Sequence, residues 1–195
     1  YMRISELTQQ YKPIKVLGDT DIDIIGIELD SRKCKSSTAF VAIRGTQTDG
    51  HAYIGKAISL GATCIICETL PQGIRPDVTY VVYDNTGEIV GPLATTFYGN
   101  PTKRMKLVGI TGTNGKTTTS YLVKSVLEAM GKKVGLIGTN QNMIGTEVIP
   151  THHTTPDSLE LMRLFAMMKD KGADYVVMEV SSHALDWHRG EGLTY

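Results

Sequence analysis

The chain has few cysteines, no excess of either charge and no long apolar run. Only three of its 195 residues are cysteine, which is too few for a disulfide framework. Lysine plus arginine and aspartate plus glutamate number 20 each, so any anion-binding site must be local rather than a property of the whole surface. No stretch approaches the ~20 apolar residues of a membrane span, and the N-terminus lacks the apolar core of a signal peptide. We therefore expect a cytoplasmic protein with no nucleic-acid partner and no membrane insertion.

Two of the cysteines form a C-x-x-C pair, Cys64 and Cys67. That spacing is compatible with a zinc or redox site, but the run A-T-C-I-I-C has the composition of a buried strand. Residues three apart on a strand point to opposite faces, and no second Cys or His pair lies nearby in the sequence. The pattern favours packing over metal or redox chemistry.

The first hundred residues alternate short apolar runs with turn signals. Enrichment in β-branched residues predicts strands over 22–29, 38–43, 62–67 and 79–83, and helices over 51–60 and 87–98. The stretch Y-G-N-P-T-K at 98–103 interrupts the pattern with glycine and proline. We therefore predict a domain of residues 1–101 and a second of residues 102–195.

The second part has the order β-α-β-α-β. Strands are predicted over 105–110, 133–138 and 175–180, and helices over 116–130 and 156–171, with Pro156 in the first turn and Thr155 as a candidate N-cap. The continuous apolar strands predict a parallel sheet covered on both faces, so the fold class is α/β. With only three strands before Tyr195, we expect this domain to be truncated.

The segment G-I-T-G-T-N-G-K-T-T-T at 109–119 is typical of a phosphate-binding loop between a strand and a helix. The usual motif places a glycine where Ile110 stands, but the strand is still running there. Lys116 would bridge the β- and γ-phosphates of ATP, and the Thr117 hydroxyl would bind Mg²⁺. The alternative is a glycine-rich turn before a capped helix. The predicted ATP-binding residues are Gly112, Thr113, Asn114, Gly115, Lys116, Thr117 and Thr118.

An acidic residue, Glu179, ends the apolar run Y-V-V-M-E-V. A carboxylate at the end of a strand beside a phosphate-binding loop is a typical Mg²⁺ ligand. Taken alone, the same residue could be an exposed strand-end glutamate. With the loop present, we predict Lys116 and Glu179 as catalytic residues and Thr117 and Glu179 as metal ligands, in a Mg-ATP site.

Two further motifs follow the loop in the chain, H-T-T-P-D at 153–157 and M-E-V-S-S-H-A-L…R at 178–189. A third, L-D-S-R at 29–32, precedes it. Together with F-V-A-I-R-G-T-Q-T-D-G-H-A-Y-I at 40–54, they resemble the Mur ligases of peptidoglycan synthesis. Within that family the pattern is similar to the MurE branch, which adds the third amino acid of the stem peptide. The resemblance covers nearly the whole chain.

The resemblance implies a first domain that binds the UDP end of UDP-MurNAc-L-Ala-D-Glu, and a central domain that binds ATP and Mg²⁺. The implied substrate-binding residues are Leu29, Ser31, Thr46, Gln47, Thr48, His153, Thr154, Thr155, Ser181 and Arg189. His153 and Trp187 differ from the Asn and Gln of some members. Each motif also has a plainer interpretation: D-S-R as a polar turn, T-T-P-D as a helix start, and His183 as a packing residue.

The implied reaction is an ATP-dependent amide ligation. The D-Glu γ-carboxylate attacks the γ-phosphate, an acyl phosphate forms, and the amino group of meso-diaminopimelate or L-lysine displaces phosphate. The resemblance also implies a C-terminal domain and a carbamylated lysine beyond Tyr195, so we expect the 195 residues alone to be inactive. The alternatives are another Mur ligase, a folylpolyglutamate synthase-like ligase, a P-loop phosphotransferase or regulatory ATPase, and a module that binds UDP-sugar without turnover.

Overall fold

The chain separates into two compact units, Tyr1–Phe97 and Tyr98–Tyr195. The computed structural model describes residues 1–150 and 157–180. Both units are mixed α/β structures with parallel strands at their centres, which confirms the predicted fold class. Among the described residues, no helix is both long enough and apolar enough to cross a membrane.

The first unit is built on a five-stranded sheet of order β2-β7-β6-β5-β4, beside a two-stranded β1-β3 ladder. Strands β4 to β7 are parallel, and β2 joins antiparallel to β7. Its elements are β1 (Met2–Arg3), α1 (Ile4–Leu7), β2 (Lys15–Leu17), β3 (Asp23–Ile24), β4 (Gly26–Glu28), β5 (Thr38–Val41), α2 (Ile54–Ser59), β6 (Cys64–Cys67), β7 (Thr79–Val82) and α3 (Thr86–Phe97), with 3₁₀ turns at Ser31–Lys33 and Gly50–Tyr53.

The C-x-x-C cysteines, Cys64 and Cys67, are buried in the core of this unit. Phe40, Ile65 and Tyr80 come from three adjacent strands and are fully or almost fully buried. Burial raises the pKa of Cys64 to about 12 and that of Cys67 to about 11. Both side chains are therefore protonated thiols that pack within the sheet.

The second unit is built on a five-stranded sheet of order β11-β10-β9-β12-β8. Strand β12 lies between β9 and β8 and is parallel to both, while β10 and β11 extend the sheet antiparallel. Its elements are a 3₁₀ turn at Pro101–Arg104, β8 (Lys106–Ile110), α4 (Lys116–Ala129), β9 (Val134–Ile137), β10 (Asn142–Ile144), β11 (Glu147–Ile149), α5 (Ser158–Asp170) and β12 (Tyr175–Glu179).

The two helices of the second unit cover opposite faces of its sheet. Leu136 belongs to a core that α4 joins through Tyr121 and Leu127. Gly135 points to the other face, where an added Cβ would lie 2.5 Å from Met168 Sδ of α5. Because successive strand residues alternate between faces, α4 and α5 lie on opposite sides, as the sequence predicts.

Two sequence predictions in this unit are wrong. The sheet has five strands rather than three, because residues 142–149 form a hairpin that adds two. A two-residue turn at Gly145 and Thr146 joins its strands. The helix predicted from Pro156 begins instead at Ser158, and Asp157 is its N-cap through a 2.8 Å bond from the Glu160 N–H. The sequence analysis named Thr155 as the candidate cap; the acceptor that the first turn requires comes from Asp157 instead.

Candidate functional site

The segment predicted to bind phosphate forms the strand, loop and helix that the sequence predicts. Strand β8 ends at Ile110, so the position without the usual glycine belongs to the strand. Residues 111–115 form an exposed loop, and Gly115, in a left-handed conformation with φ of 77°, leads directly into α4. The cap residue is a glycine, so it has no side chain to accept a hydrogen bond from the first amides of α4. Those N–H groups and the positive end of the helix dipole are therefore directed at the loop.

The side chain of Lys116 folds back over the loop. Its Nζ donates a 2.6 Å hydrogen bond to the Gly112 carbonyl oxygen. Gly112 itself has a φ of 140°, a conformation that side chains rarely adopt, so a glycine is required for this turn. The arrangement brings one cation and a set of backbone donors to the same loop, which is the chemistry of a polyphosphate site.

The Glu179 carboxylate reaches the first turn of α4 from the end of β12. Thr117 Oγ1 donates a 2.8 Å hydrogen bond to Glu179 Oε1. The register explains this proximity, because β12 pairs in parallel with β8 and sets Glu179 opposite Ile110, where the loop begins. A hydroxyl and a carboxylate are hard oxygen ligands of the kind that Mg²⁺ prefers. The pair therefore fits a magnesium ion beside bound phosphates.

A third segment, which the sequence analysis missed, closes the site from the end of β9. The Thr139 N–H donates to Glu179 Oε2 at 2.9 Å, and its hydroxyl lies 3.5 Å from the same oxygen. Gly138 allows this approach, since an added Cβ would lie only 2.8 Å from Oε2. The one sequence signal was the Gly-Thr pair that follows a buried strand, because parallel strands end at the same edge of a sheet.

These groups surround an open cleft of about 330 Å³ at the carboxyl edge of the parallel strands. The cleft brings together six of the seven predicted ATP-binding residues and Glu179, and adds Thr139; the lining residues are Thr113, Asn114, Gly115, Lys116, Thr117, Thr118, Thr139 and Glu179. Gly112, the seventh, contributes the carbonyl that holds Lys116.

The implied substrate-binding residues of the first unit lie at the carboxyl edge of its sheet. Leu29 follows β4, and Ser31 is buried at the start of the next 3₁₀ turn. Residues 46–48 lie in an exposed turn after β5, closed by a 2.9 Å bond from the Gly45 N–H to the Thr48 carbonyl. Because β4 and β5 are adjacent and parallel, both predicted groups leave the same edge of the sheet.

His51, which the sequence analysis did not single out, links Asp49, just after that turn, to the residues that follow β6. His51 Nε2 accepts hydrogen bonds from the N–H groups of Glu68 at 3.0 Å and Thr69 at 3.4 Å. Its Nδ1 lies 2.7 Å from Asp49 Oδ1 and must therefore carry the proton in the neutral ring. Arg44 closes the group with a 2.8 Å bond to Thr69 Oγ1. The hydrogen bonds from His51 hold the pKa of Asp49 below its usual value.

The other predicted substrate residues lie outside the described part of the chain. These are His153, Thr154, Thr155, Ser181 and Arg189. Their roles stay predictions.

Comparison with known proteins agrees with this arrangement. Residues 23–98 match the family model described as the Mur ligase family, catalytic domain, and residues 110–195 match the Mur ligase middle domain. A UDP-N-acetylmuramoyl-L-alanyl-D-glutamate--2,6-diaminopimelate ligase of Bacteroides fragilis is 48% identical over 194 residues, which cover 100% of this chain and 40% of the relative. The ligase of the same name from Caldanaerobacter subterraneus is 46% identical, over 96% of this chain and 39% of the relative.

Solved structures give the same picture. The structure of a UDP-N-acetylmuramoyl-L-alanyl-D-glutamate--2,6-diaminopimelate ligase superposes with a TM-score of 0.78 at 25% identity, covering 98% of this chain and 38% of that one. A MurF ligase from Thermotoga maritima, solved in complex with ADP, shares the fold with a TM-score of 0.56 at 24% identity, over 80% of this chain and 32% of that one. The chain thus spans about 40% of the length of the curated relatives it matches.

Proposed function

Because the chain belongs to the Mur ligase family, we propose that it is the nucleotide-binding part of an ATP-dependent amide ligase of the bacterial cytoplasm. The proposed whole enzyme adds the third stem amino acid to UDP-MurNAc-L-Ala-D-Glu. The most similar relatives named above are 2,6-diaminopimelate ligases, which supports that amino acid over L-lysine. Residues 1–101 would bind the UDP end of the acceptor, and residues 102–195 would bind Mg-ATP.

The observation that carries the proposal is the convergence of Lys116, Thr117 and Glu179 on one cleft beside the open end of α4. A polyphosphate there would receive hydrogen bonds from the loop amides and one lysine cation. A Mg²⁺ ion held by Thr117 and Glu179 would supply charge neutralisation at the γ-phosphate.

The chemistry that these residues support is the transfer of a phosphoryl group to a carboxylate. A D-Glu γ-carboxylate oxygen bonds to the γ-phosphorus, and the bond to the ADP oxygen breaks, giving an acyl phosphate. The incoming amine then attacks the acyl carbon and loses a proton, and phosphate leaves. Lys116 and the loop amides offset the charge that moves onto the phosphate oxygens in the first step. The second step requires exclusion of water, since water competes for the acyl phosphate.

We propose that the 195 residues bind both nucleotide substrates without completing the ligation. The matched stretch is 40% of the length of the Bacteroides fragilis relative, and the resemblance assigns the amino-acid site and a carbamylated lysine to the remainder. Binding is therefore the property to measure.

Calorimetric titration with UDP-MurNAc-L-Ala-D-Glu tests the proposal, with UDP and UDP-GlcNAc for comparison. We expect saturable binding that is strongest for the dipeptide form. Ser31→Ala should weaken binding about 2- to 10-fold, the value of one neutral hydrogen bond. The matched control is Ser125→Ala, an exposed serine of α4 in the other unit. A folded chain that binds ATP but no UDP-sugar would contradict the proposal and favour a P-loop phosphotransferase.

A further inference from the structure

The two oxygens of the Glu179 carboxylate have different partners. Oε1 accepts the Thr117 hydroxyl from α4, whereas Oε2 accepts the Thr139 N–H from the end of β9. The carboxylate is thus held from two sides by elements that are far apart in the sequence. A side chain with three rotatable bonds would otherwise sample several positions over an open cleft.

We propose that Thr139 is a positioning residue that holds Oε2 so that Oε1 stays beside Thr117, facing the magnesium position. This inference rests on the proposed function, because it concerns how the proposed metal ligand is oriented. Its basis is the 2.9 Å backbone bond, since the Thr139 hydroxyl at 3.5 Å is at the limit of hydrogen bonding. Partners that orient a metal ligand commonly control metal affinity about 10- to 100-fold.

The glycine at position 138 is part of the same device. An added Cβ would lie 2.8 Å from Glu179 Oε2 and 3.2 Å from the Gln141 carbonyl oxygen. A contact of 2.8 Å is too close for a Cβ and an oxygen, so Gly138→Ala must displace the carboxylate. The variant leaves the chemical groups of Thr117, Thr139 and Glu179 unchanged. It therefore tests the position of the Glu179 carboxylate without removing it.

The test is the dependence of ATP affinity on magnesium. ATP is titrated calorimetrically into the 195-residue chain in excess Mg²⁺ and again in EDTA, and the ratio of the two affinities is the readout. We expect Gly138→Ala to lower this ratio about tenfold or more, as a displaced metal ligand should. The affinity in EDTA should be unchanged, because the loop amides and Lys116 are untouched. The control is Gly55→Ala in α2, where a Cβ would meet nothing within 4 Å.

A double-mutant cycle then tests whether Gly138 acts through Glu179. In the Glu179→Ala background there is no carboxylate to displace, so adding Gly138→Ala should not lower the ratio further. Equal loss in Mg²⁺ and in EDTA would show general damage to the site and overturn the inference. An additive loss in the cycle would also overturn it.

Amide exchange supplies a measurement on the wild-type chain. The Thr139 amide should exchange slowly, stay protected when Mg-ATP is added, and exchange faster in Glu179→Ala. Loss of protection on adding Mg-ATP would mean that Oε2 leaves Thr139, and would contradict the inference. If the wild-type chain binds ATP equally with and without Mg²⁺, the proposed metal site itself fails, and this result is distinct from a failure of Thr139.

Discussion

Replacing Lys116 by methionine should weaken the binding of ATP most, that of ADP less and that of AMP not at all. The methionine keeps most of the aliphatic stem and removes only the cation. Hydrogen bonds that involve a charged group contribute about 1.5–3 kcal/mol; the bond from Nζ to a phosphate joins two charged groups and should lie at the upper end of that range, whereas the 2.6 Å bond to the neutral Gly112 carbonyl that it replaces should lie at the lower end. The difference is about 1–2 kcal/mol, which corresponds to a 5- to 30-fold loss of ATP affinity.

The assay is calorimetric titration with ATP, ADP and AMP in the presence of Mg²⁺. ATP should lose the full factor and ADP less, while AMP should be unaffected because it lacks the phosphates that the lysine would reach. Lys132→Met is the matched control, since Lys132 is exposed just beyond the end of α4. An unchanged ATP affinity, or an equal loss for AMP, would refute the assignment of Lys116 to the β- and γ-phosphates.

Three further predictions follow from the geometry. Gly115→Ala should destabilise the loop by about 1–2 kcal/mol in thermal unfolding, through its positive φ alone, because an added Cβ would meet nothing within 4 Å; an unchanged Tm would contradict this. His51→Ala should leave the Glu68 N–H unpaired, at a cost of about 1–3 kcal/mol, and speed its amide exchange; unchanged exchange would show that another acceptor replaces the ring. The side-chain hydrogen bond from Arg32 lowers the pKa of Asp30 to about 2. The pair therefore stabilises the fold above pH ~4, and this contribution is lost as the pH falls through about 2. In Arg32→Ala, the pKa of Asp30 measured by NMR should return toward 3.8.

The strand, loop and helix around residues 111–115 could be predicted because all of their signals are local. A strand, two glycines and the Lys116-Thr117 pair follow one another within a dozen residues, and Gly115 needs its special conformation whatever lies around it. The position of Glu179 beside this loop could also be predicted, because parallel strands end at a common edge of the sheet. The Mur ligase resemblance came from such short ordered motifs, and the family models confirm it.

The hydrogen bonds that Thr139 and His51 make with distant segments could not be predicted in the same way. Thr139 and Glu179 are 40 residues apart, and the stronger bond between them uses a backbone N–H that every residue except proline carries. His51 likewise accepts from backbone N–H groups 17 and 18 residues away, so neither bond leaves a side-chain pattern in the sequence. The β10-β11 hairpin had a readable signal in its Gly145-Thr146 turn, but its strands of three residues are too short to show alternation clearly.

We propose that two nucleotide-bearing substrates bind to separate units of one chain. The most direct test is to titrate Mg-ATP into the chain already saturated with UDP-MurNAc-L-Ala-D-Glu. We expect one ATP to bind per chain, with no displacement of the UDP-sugar. Competition between the two ligands, with ATP binding only as UDP-MurNAc-L-Ala-D-Glu leaves, would contradict it, because a single nucleotide site would then serve both.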